Sequence, residues 1–293
     1  MVVEAFIGPR TAERNPSEII VLAFIFVSLA IGIVDYLKVE PPGAMLIMFT
    51  LIPSIPFILN LFKLEEEEME HEIVLGSRTI RRHFSVVLVL AAFFIGLTIA
   101  YTFWYLFLEQ TDPVRGAKFF EPQLNELKRI QSLSNQLSGK FLENGASPLS
   151  ASASGPTNPF FFILTQNLRV LALVILGSLI YGAGSVFIII WNASIIGVFI
   201  GNVAKKFVFN EAPAFSLIPG ISYGILGLIP HGTFEAIAYL VGALAGGILS
   251  SALSRKIWGT PEFKPITFDV IKLMGFAVGL VFVGALIESA TFP

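Results

Sequence analysis

The chain contains seven runs of apolar residues, of which six are about long enough to cross a lipid bilayer as a helix, while the run over 168–181 is shorter. A spanning helix needs about 20 residues for a hydrocarbon core of about 30 Å. The strands of a membrane β-barrel would instead alternate apolar and polar residues over about 10 positions. We therefore predict an all-α fold, a polytopic transmembrane helical bundle. Its predicted spans are 19–37, 44–62, 85–108, 168–181, 185–203, 233–253 and 266–288.

Composition narrows the class of protein further. Hydrophobic residues make up 55% of the chain and charged residues 14%, whereas soluble domains carry roughly 25% charged residues. The net charge of −2 and the lack of a basic tract exclude a nucleic-acid partner. Because the chain has no cysteine, disulfides, thiolate metal sites and a cysteine nucleophile are excluded as well. The lipid bilayer is therefore the expected environment of the chain.

Glycine and proline interrupt the apolar pattern at two places in the second half of the chain. Gly182 and Gly184 predict a helix break, a tight turn that separates the fourth span from the fifth. Residues 215–229 are apolar but contain Pro219 and Gly220, which predict a further helix break. This stretch is shorter than a full span, so we predict a re-entrant or half-membrane segment there.

Two polar stretches divide the chain into predicted regions. Residues 1–84 form an N-terminal two-span region that ends in an acidic connector over 63–84, and residues 85–293 form a five-span core. The core carries a long polar loop over 109–159, whose first part has a weak helical periodicity. Lysine and arginine in short loops favour the cytoplasmic side, and a cytoplasmic N-terminus places most of them there. We therefore expect a multi-pass protein of the cell membrane, with the connector inside and the long loop outside.

Polar side chains inside a span are costly, so they are the first candidates for function. His231 and Glu235 are four residues apart, with Gly232 between them, and would share one face of a helix. Asn192 and Asn202 add amide groups in the fifth span and complete a predicted membrane-embedded polar cluster. Two interpretations stay open. One is a hydrogen-bonded pair that locks helices together, and the other is a titratable or cation-binding pair in a transport path.

Three other charged residues lie near the ends of spans, and we expect their side chains to reach interfacial water. They are Asp35, Lys272 and Glu288. Glycine pairs of the GxxxG type recur in three of the last spans and permit close approach of helices. We expect these pairs to pack helices within the chain, while a homo-oligomer stays open. The pairs are Gly197/Gly201, Gly242/Gly246 and Gly275/Gly279.

Enzyme motifs are missing from the sequence. It contains no G-x-S-x-G, no H-E-x-x-H and no Walker sequence. A metal ion at His231 and Glu235 would need a third ligand, and the other candidates are distant in the sequence: His71, His83 and Glu211. We therefore predict a protein without enzyme activity, metal ion or other cofactor.

The order of several polar and glycine residues resembles the stage II sporulation protein M family of integral membrane proteins. The resemblance covers about residue 85 to the C-terminus, and the N-terminal pair of spans departs from the bacterial pattern. The phrases WNASIIGVFIGN and PHGTFEAIAYLVGALAGG look most like archaeal members. The residues that carry the resemblance are Asn167-Leu168-Arg169, Gly177, Gly182, Asn192, Gly197 and Pro230-His231-Gly232-x-x-Glu235.

The resemblance implies a membrane core and an anchoring role. The bacterial namesake is implied to act in engulfment during sporulation, as the membrane anchor of a complex with two peptidoglycan-degrading enzymes. For an archaeal-type member, the shared property is the membrane core and not that pathway. We predict a scaffold or anchor that recruits protein partners through the loop 109–159 and the connector 63–84. The alternative is a channel or transporter for a small solute or ion that uses the region of His231 and Glu235.

Overall fold

The computed structural model of the chain describes residues 8–71, 83–144, 159–179, 183–206, 213–261 and 263–291. All regular secondary structure in these ranges is helical, which confirms the predicted class. The helices are α1 (Pro9–Arg14), α2 (Pro16–Leu37), α3 (Pro42–His71), α4 (Phe84–Thr111), α5 (Pro113–Phe119), α6 (Glu121–Asn144), α7 (Pro159–Leu179), α8 (Ala183–Lys205), α9 (Pro213–Ser254) and α10 (Phe263–Thr291).

Seven helical stretches in the described part of the chain are long and apolar enough to cross a membrane. They comprise α2, α3, α4, α7, α8, the part of α9 from Gly232 to Ser254, and α10. The chain is therefore a multi-pass membrane protein with seven candidate spans. The first part of α9, Leu217–Pro230, is apolar but shorter than a span.

Helix α7 is longer than its sequence predicts. The expected span over 168–181 begins at Pro159 instead, so that Asn167 lies inside the helix. Thr165, Gln166 and Asn167 make the sequence look interrupted. The run of three phenylalanines before them continues the helix, and a proline at the first position suits a helix start. A full-length span results, which carries an amide group about 12 Å from its first residue.

The predicted helix break at Pro219 and Gly220 is wrong, because α9 continues through both residues and through Pro230. A proline removes one backbone hydrogen bond, and a membrane helix tolerates that loss where neighbouring groups compensate. Gly220 instead serves close packing, since a Cβ atom there would lie 2.6 Å from Cα of Ala204 on α8.

Helices α7 and α8 contact each other through glycine residues. Gly184 lies in the first turn of α8, and Gly182 lies outside the described residues. A Cβ atom on Gly184 would lie 2.6 Å from the carbonyl oxygen of Gly177. The helix break predicted at Gly182 stays a prediction.

The spanning helices form two groups. Helix α4 packs against α2 and α8, and α3 packs against α2 and α8. In the other group, α9 packs against α7 and α10, which also contact each other. Helices α3 and α8 both contact α9, so they join the two groups.

The three GxxxG pairs differ in whether another helix packs closely against them. A Cβ atom on Gly197 would lie 2.7 Å from Tyr101 on α4, and one on Gly242 would lie 2.6 Å from Leu171 on α7. These pairs pack helices within the chain, as expected. Gly275 and Gly279 have no atom within 4 Å of such a Cβ position, so the expectation is wrong for the third pair.

Candidate functional site

Three spanning helices bring four polar side chains together. Glu235 and Tyr239 lie one turn apart on α9, Asn167 comes from α7, and Glu288 comes from the last turns of α10. We call these four residues the carboxyl cluster. All four side chains are half-buried. The cluster forms because α9 packs against both α7 and α10.

Asn167 is the central hydrogen-bonding residue of the carboxyl cluster. Its Nδ2 donates to Oε1 of Glu235 at 2.5 Å, and its Oδ1 accepts from the Tyr239 hydroxyl at 3.1 Å. The amide group of Asn167 thus uses Nδ2 as a donor and Oδ1 as an acceptor. This arrangement fixes the orientation of the amide plane.

The carboxyl group of Glu288 on α10 lies near that of Glu235 on α9. Asn167 and Glu288 are thus polar neighbours of the Glu235 carboxyl on two different helices.

The other predicted members of the polar cluster lie apart from Glu235 or outside the description. His231 is part of the backbone of α9, but its side chain lies outside the described residues. Gly232 faces Leu228 of its own helix. Asn192 donates to the carbonyl oxygen of Ile188 on its own helix at 2.8 Å. Asn202 is half-buried on α8, and no hydrogen bond among the described residues joins it or Asn192 to Glu235.

The three charged residues near span ends all have partners. Asp35 binds Arg115 of α5 at 2.5 Å and Lys38 at 3.3 Å, while Lys272 contacts Asp269 at 3.4 Å. Glu288 joins the carboxyl cluster, and sequence reasoning missed this role. The sequence does not indicate which helix packs against the C-terminal end of α10.

Ion pairs join neighbouring helices at both ends of the bundle. At one end, Asp35 of α2 pairs with Arg115, and Glu109 of α4 pairs with Lys205 of α8. At the other end, two adjacent residues of α3 form separate ion pairs. Glu65 pairs with His83, and Glu66 pairs with Arg255. His83 therefore binds a carboxyl group, and no group of three potential metal ligands occurs in the described residues.

Helix α6 starts inside the bundle. Phe120, just before it, is fully buried, with its ring 5.4 Å from that of Tyr105 on α4. Gln123 is also fully buried, and its Nε2 donates to Oγ of Ser194 on α8 at 3.2 Å. The helix confirms the weak periodicity of the loop 109–159, but the sequence did not predict that its first turn is embedded.

The surface next to this first turn is concave. A groove of about 380 Å³ lies where α5 meets α6. Two lysines and one glutamate give it a mixed charge. Its lining residues are Ala117, Lys118, Glu121, Leu124, Asn125 and Lys128.

Comparison with known proteins places the core in a family. The model of the family described as stage II sporulation protein M matches residues 84–291. The chain belongs to the stage II sporulation protein M family. The match includes α4 to α10 and all four residues of the carboxyl cluster, while α1, α2 and α3 precede it. The cluster is therefore part of the family core, and the N-terminal helices are attached to it.

One relative is an uncharacterised protein of the archaeon Methanocaldococcus jannaschii. It is 32% identical to this chain over 135 residues, which cover 45% of this chain and 69% of the relative. This similarity agrees with an archaeal-type member of the stage II sporulation protein M family. No solved structure matches the chain.

Proposed function

We propose that this protein is a non-enzymatic membrane anchor, which holds a protein partner at the membrane face from which α6 projects. The observation that carries the proposal is the construction of α6, which is buried in the bundle near its start and exposed over residues 128–132. A helix held in this way can present a binding surface at a defined position.

The fixed part of α6 has several independent contacts. Gln123 is hydrogen-bonded to Ser194, and Leu124 and Leu127 pack against the buried core. The preceding helix α5 is capped by Asp112, which accepts from the backbone N–H of Arg115 at 3.1 Å. The ion pair of Arg115 with Asp35 adds a link to α2.

The projecting part of α6 begins after Leu127. Residues 128–132 are all exposed, including Ile130 with 48% of its surface accessible. The helix continues to Asn144, about 25 Å beyond Leu127 at 1.5 Å per residue. The sequence there repeats apolar residues at a helical spacing, at Leu133, Leu137 and Phe141. Apolar residues at this spacing in a sequence are typical of helices that bind in a groove of a partner.

The carboxyl cluster supports an anchor over the channel or transporter alternative. Its hydrogen bonds link α7 to α9, and Glu288 of α10 lies near Glu235, which is what a locking role requires. A transport site would instead direct such groups at a substrate. The absence of enzyme motifs in the sequence supports a non-enzymatic role.

The proposal predicts that charges on the apolar stripe release the partner. Leu133→Asp with Leu137→Asp should remove the proteins that are cross-linked to the full chain in native membranes. The control is Ser132→Asp with Asn135→Asp, which adds the same charge to the opposite side of the helix and should retain them. Mass spectrometry of the cross-linked material measures both. Retention of every partner by the leucine variant would contradict the proposal, as would ion flux in proteoliposomes that Glu235→Gln abolishes.

A further inference from the structure

We propose that the groove between α5 and α6 binds the headgroup of a membrane phospholipid. Two lysines, Lys118 of α5 and Lys128 of α6, would contact its phosphate, and Glu121 would accept a hydrogen bond from the rest of the headgroup. This lipid site goes beyond the anchoring role, and it does not depend on the partner proposed for the apolar stripe of α6.

Helix α5 places the groove below the end of α4, because it turns back along that helix. Gly116 of α5 packs against the last turns of α4, where a Cβ atom would lie 3.2 Å from the backbone nitrogen of Glu109. Phe120, just after α5, contacts Tyr105 of α4 through its ring. Since α4 ends at Thr111, the start of α6 lies about 9 Å inside that end, at 1.5 Å per residue.

The length of α4 relates this position to the bilayer. Its 28 residues are about 42 Å long, which is close to the thickness of a bilayer with both headgroup layers. The hydrocarbon core is only about 30 Å thick, so about 6 Å at each end of a centred helix lie among headgroups. Ala117 and Lys118 follow Gly116 and precede Phe120, so they lie at the boundary between the headgroups and the hydrocarbon.

The charged side chains of the groove have no partner in the part of the chain that the structure describes. Lys118, Glu121 and Lys128 line the groove together, yet none of these side chains forms an ion pair or hydrogen bond with another described residue. By contrast, Arg129 on the same helix binds Glu126 at 2.7 Å. Two lysines and one glutamate give the groove a net charge of +1, and all three charges are accessible to a ligand.

These side chains match a phosphodiester headgroup that also carries a hydrogen-bond donor. Lysine ammonium groups bind phosphate as point charges, and the two lysines approach the groove from different helices. An ionised glutamate offers only acceptor oxygens, so Glu121 favours a headgroup with an N–H or O–H, such as ethanolamine or glycerol, over choline. Ala117 and Leu124 add apolar surface to the same groove, which suits the start of the acyl chains.

The same phosphate chemistry could come from a soluble phosphate ester, and the depth of the groove favours the lipid. Lipid phosphates are concentrated in the headgroup layer, where α5 turns back into the bundle. A soluble ester would have no use for the apolar part of the groove. We therefore assign the site to a lipid and use the soluble ester as a competitor in the test.

Native mass spectrometry of the full chain in detergent, titrated with phosphatidylglycerol, tests the two lysines. Lys118→Gln with Lys128→Gln should weaken binding of the first lipid about 30-fold. Lys256→Gln with Lys264→Gln removes the same charge from exposed positions at the other end of the bundle and should bind like the wild type. Wild-type affinity of the groove variant, or an equal loss in the control, would overturn the proposal.

A second titration tests the role of Glu121 and the source of the phosphate. Phosphatidylethanolamine and phosphatidylcholine both lack a net charge, and only the first has N–H donors, so the wild type should prefer it and Glu121→Ala should lose the preference. Glycerol 3-phosphate should not displace phosphatidylglycerol at equal concentration. Equal affinity of the wild type for the two neutral lipids would contradict the assigned headgroup, and ready displacement by the soluble ester would contradict a lipid site. Because Lys118, Glu121 and Lys128 are exposed, these variants should keep the fold.

Discussion

Asn167 has the central position among the polar residues of the bundle, because its amide bonds on both sides. The sequence identified Glu235 from its position within a span, since a carboxyl group there is unusual whatever the fold. It could not identify Asn167, Tyr239 or Glu288 as its partners, because partnership depends on which helices are neighbours. Glu288 in particular lies near a span end, where sequence alone favours contact with water.

Replacement of Asn167 should destabilise the fold more than replacement of another amide within a span. Asn167→Leu leaves Oε1 of Glu235 without this donor and the Tyr239 hydroxyl without this acceptor, so we expect a loss of about 1–2 kcal/mol in the free energy of unfolding. Asn192→Leu removes only a bond to its own helix and should cost less. Denaturation of the purified chains in detergent compares the two, and equal losses would contradict the central role of Asn167.

At the scale of helices, the apolar runs predicted the seven spans, because the thickness of the bilayer sets the length of a spanning helix. The start of α7 and the continuity of α9 were not predictable in the same way. Proline and glycine were interpreted as breaks, yet Gly220 provides close approach to Ala204 and Pro219 lies within a continuous helix. Glycine and proline occur both in turns and within packed helices. Only the position of the neighbouring helix shows which of the two a given residue forms.

Two glycines of α9 provide a matched test of this packing. A Cβ atom at Gly220 would lie 2.6 Å from a backbone atom of α8, whereas Gly227 has no atom within 4 Å. Gly220→Ala should therefore destabilise the chain by about 1–3 kcal/mol. Gly227→Ala should cause no loss and gain up to about 1 kcal/mol, because alanine favours a helix. Thermal unfolding in detergent measures both, and a harmless Gly220→Ala would show that the contact is loose.

At the scale of the whole molecule, the family core and the N-terminal helices form one packed structure. Contacts between them occur along the whole bundle, from Asp35 with Arg115 at one end to Glu66 with Arg255 at the other. The sequence predicted two regions, and residues 84–291 match the family. It did not predict the contacts that join the regions, because these pair residues far apart along the chain. The cytoplasmic position of the N-terminus stays a prediction.

The two ends of this junction should differ in strength. Glu66 is fully buried, so Arg255→Met leaves a buried carboxylate without that partner and should cost about 3 kcal/mol. Asp35 and Arg115 are both partly exposed, and Arg115→Met should cost less than about 1 kcal/mol. Chemical denaturation of the two variants tests this order. The reverse order would mean that the exposed pair bears most of the attachment.

Gly96 of α4 lies against Ile20 and Ala23 of α2, and a Cβ atom there would be 2.5 Å from the carbonyl oxygen of Ile20. Gly96 lies within the residues that match the family model. Helix α2, which packs against Gly96 and requires a small residue there, lies outside those residues. Selection for glycine at this position should therefore act only in chains that carry α2. Across the family, the identity of this one residue should vary together with the presence of the N-terminal extension, and an alignment of long and short members can test that correlation.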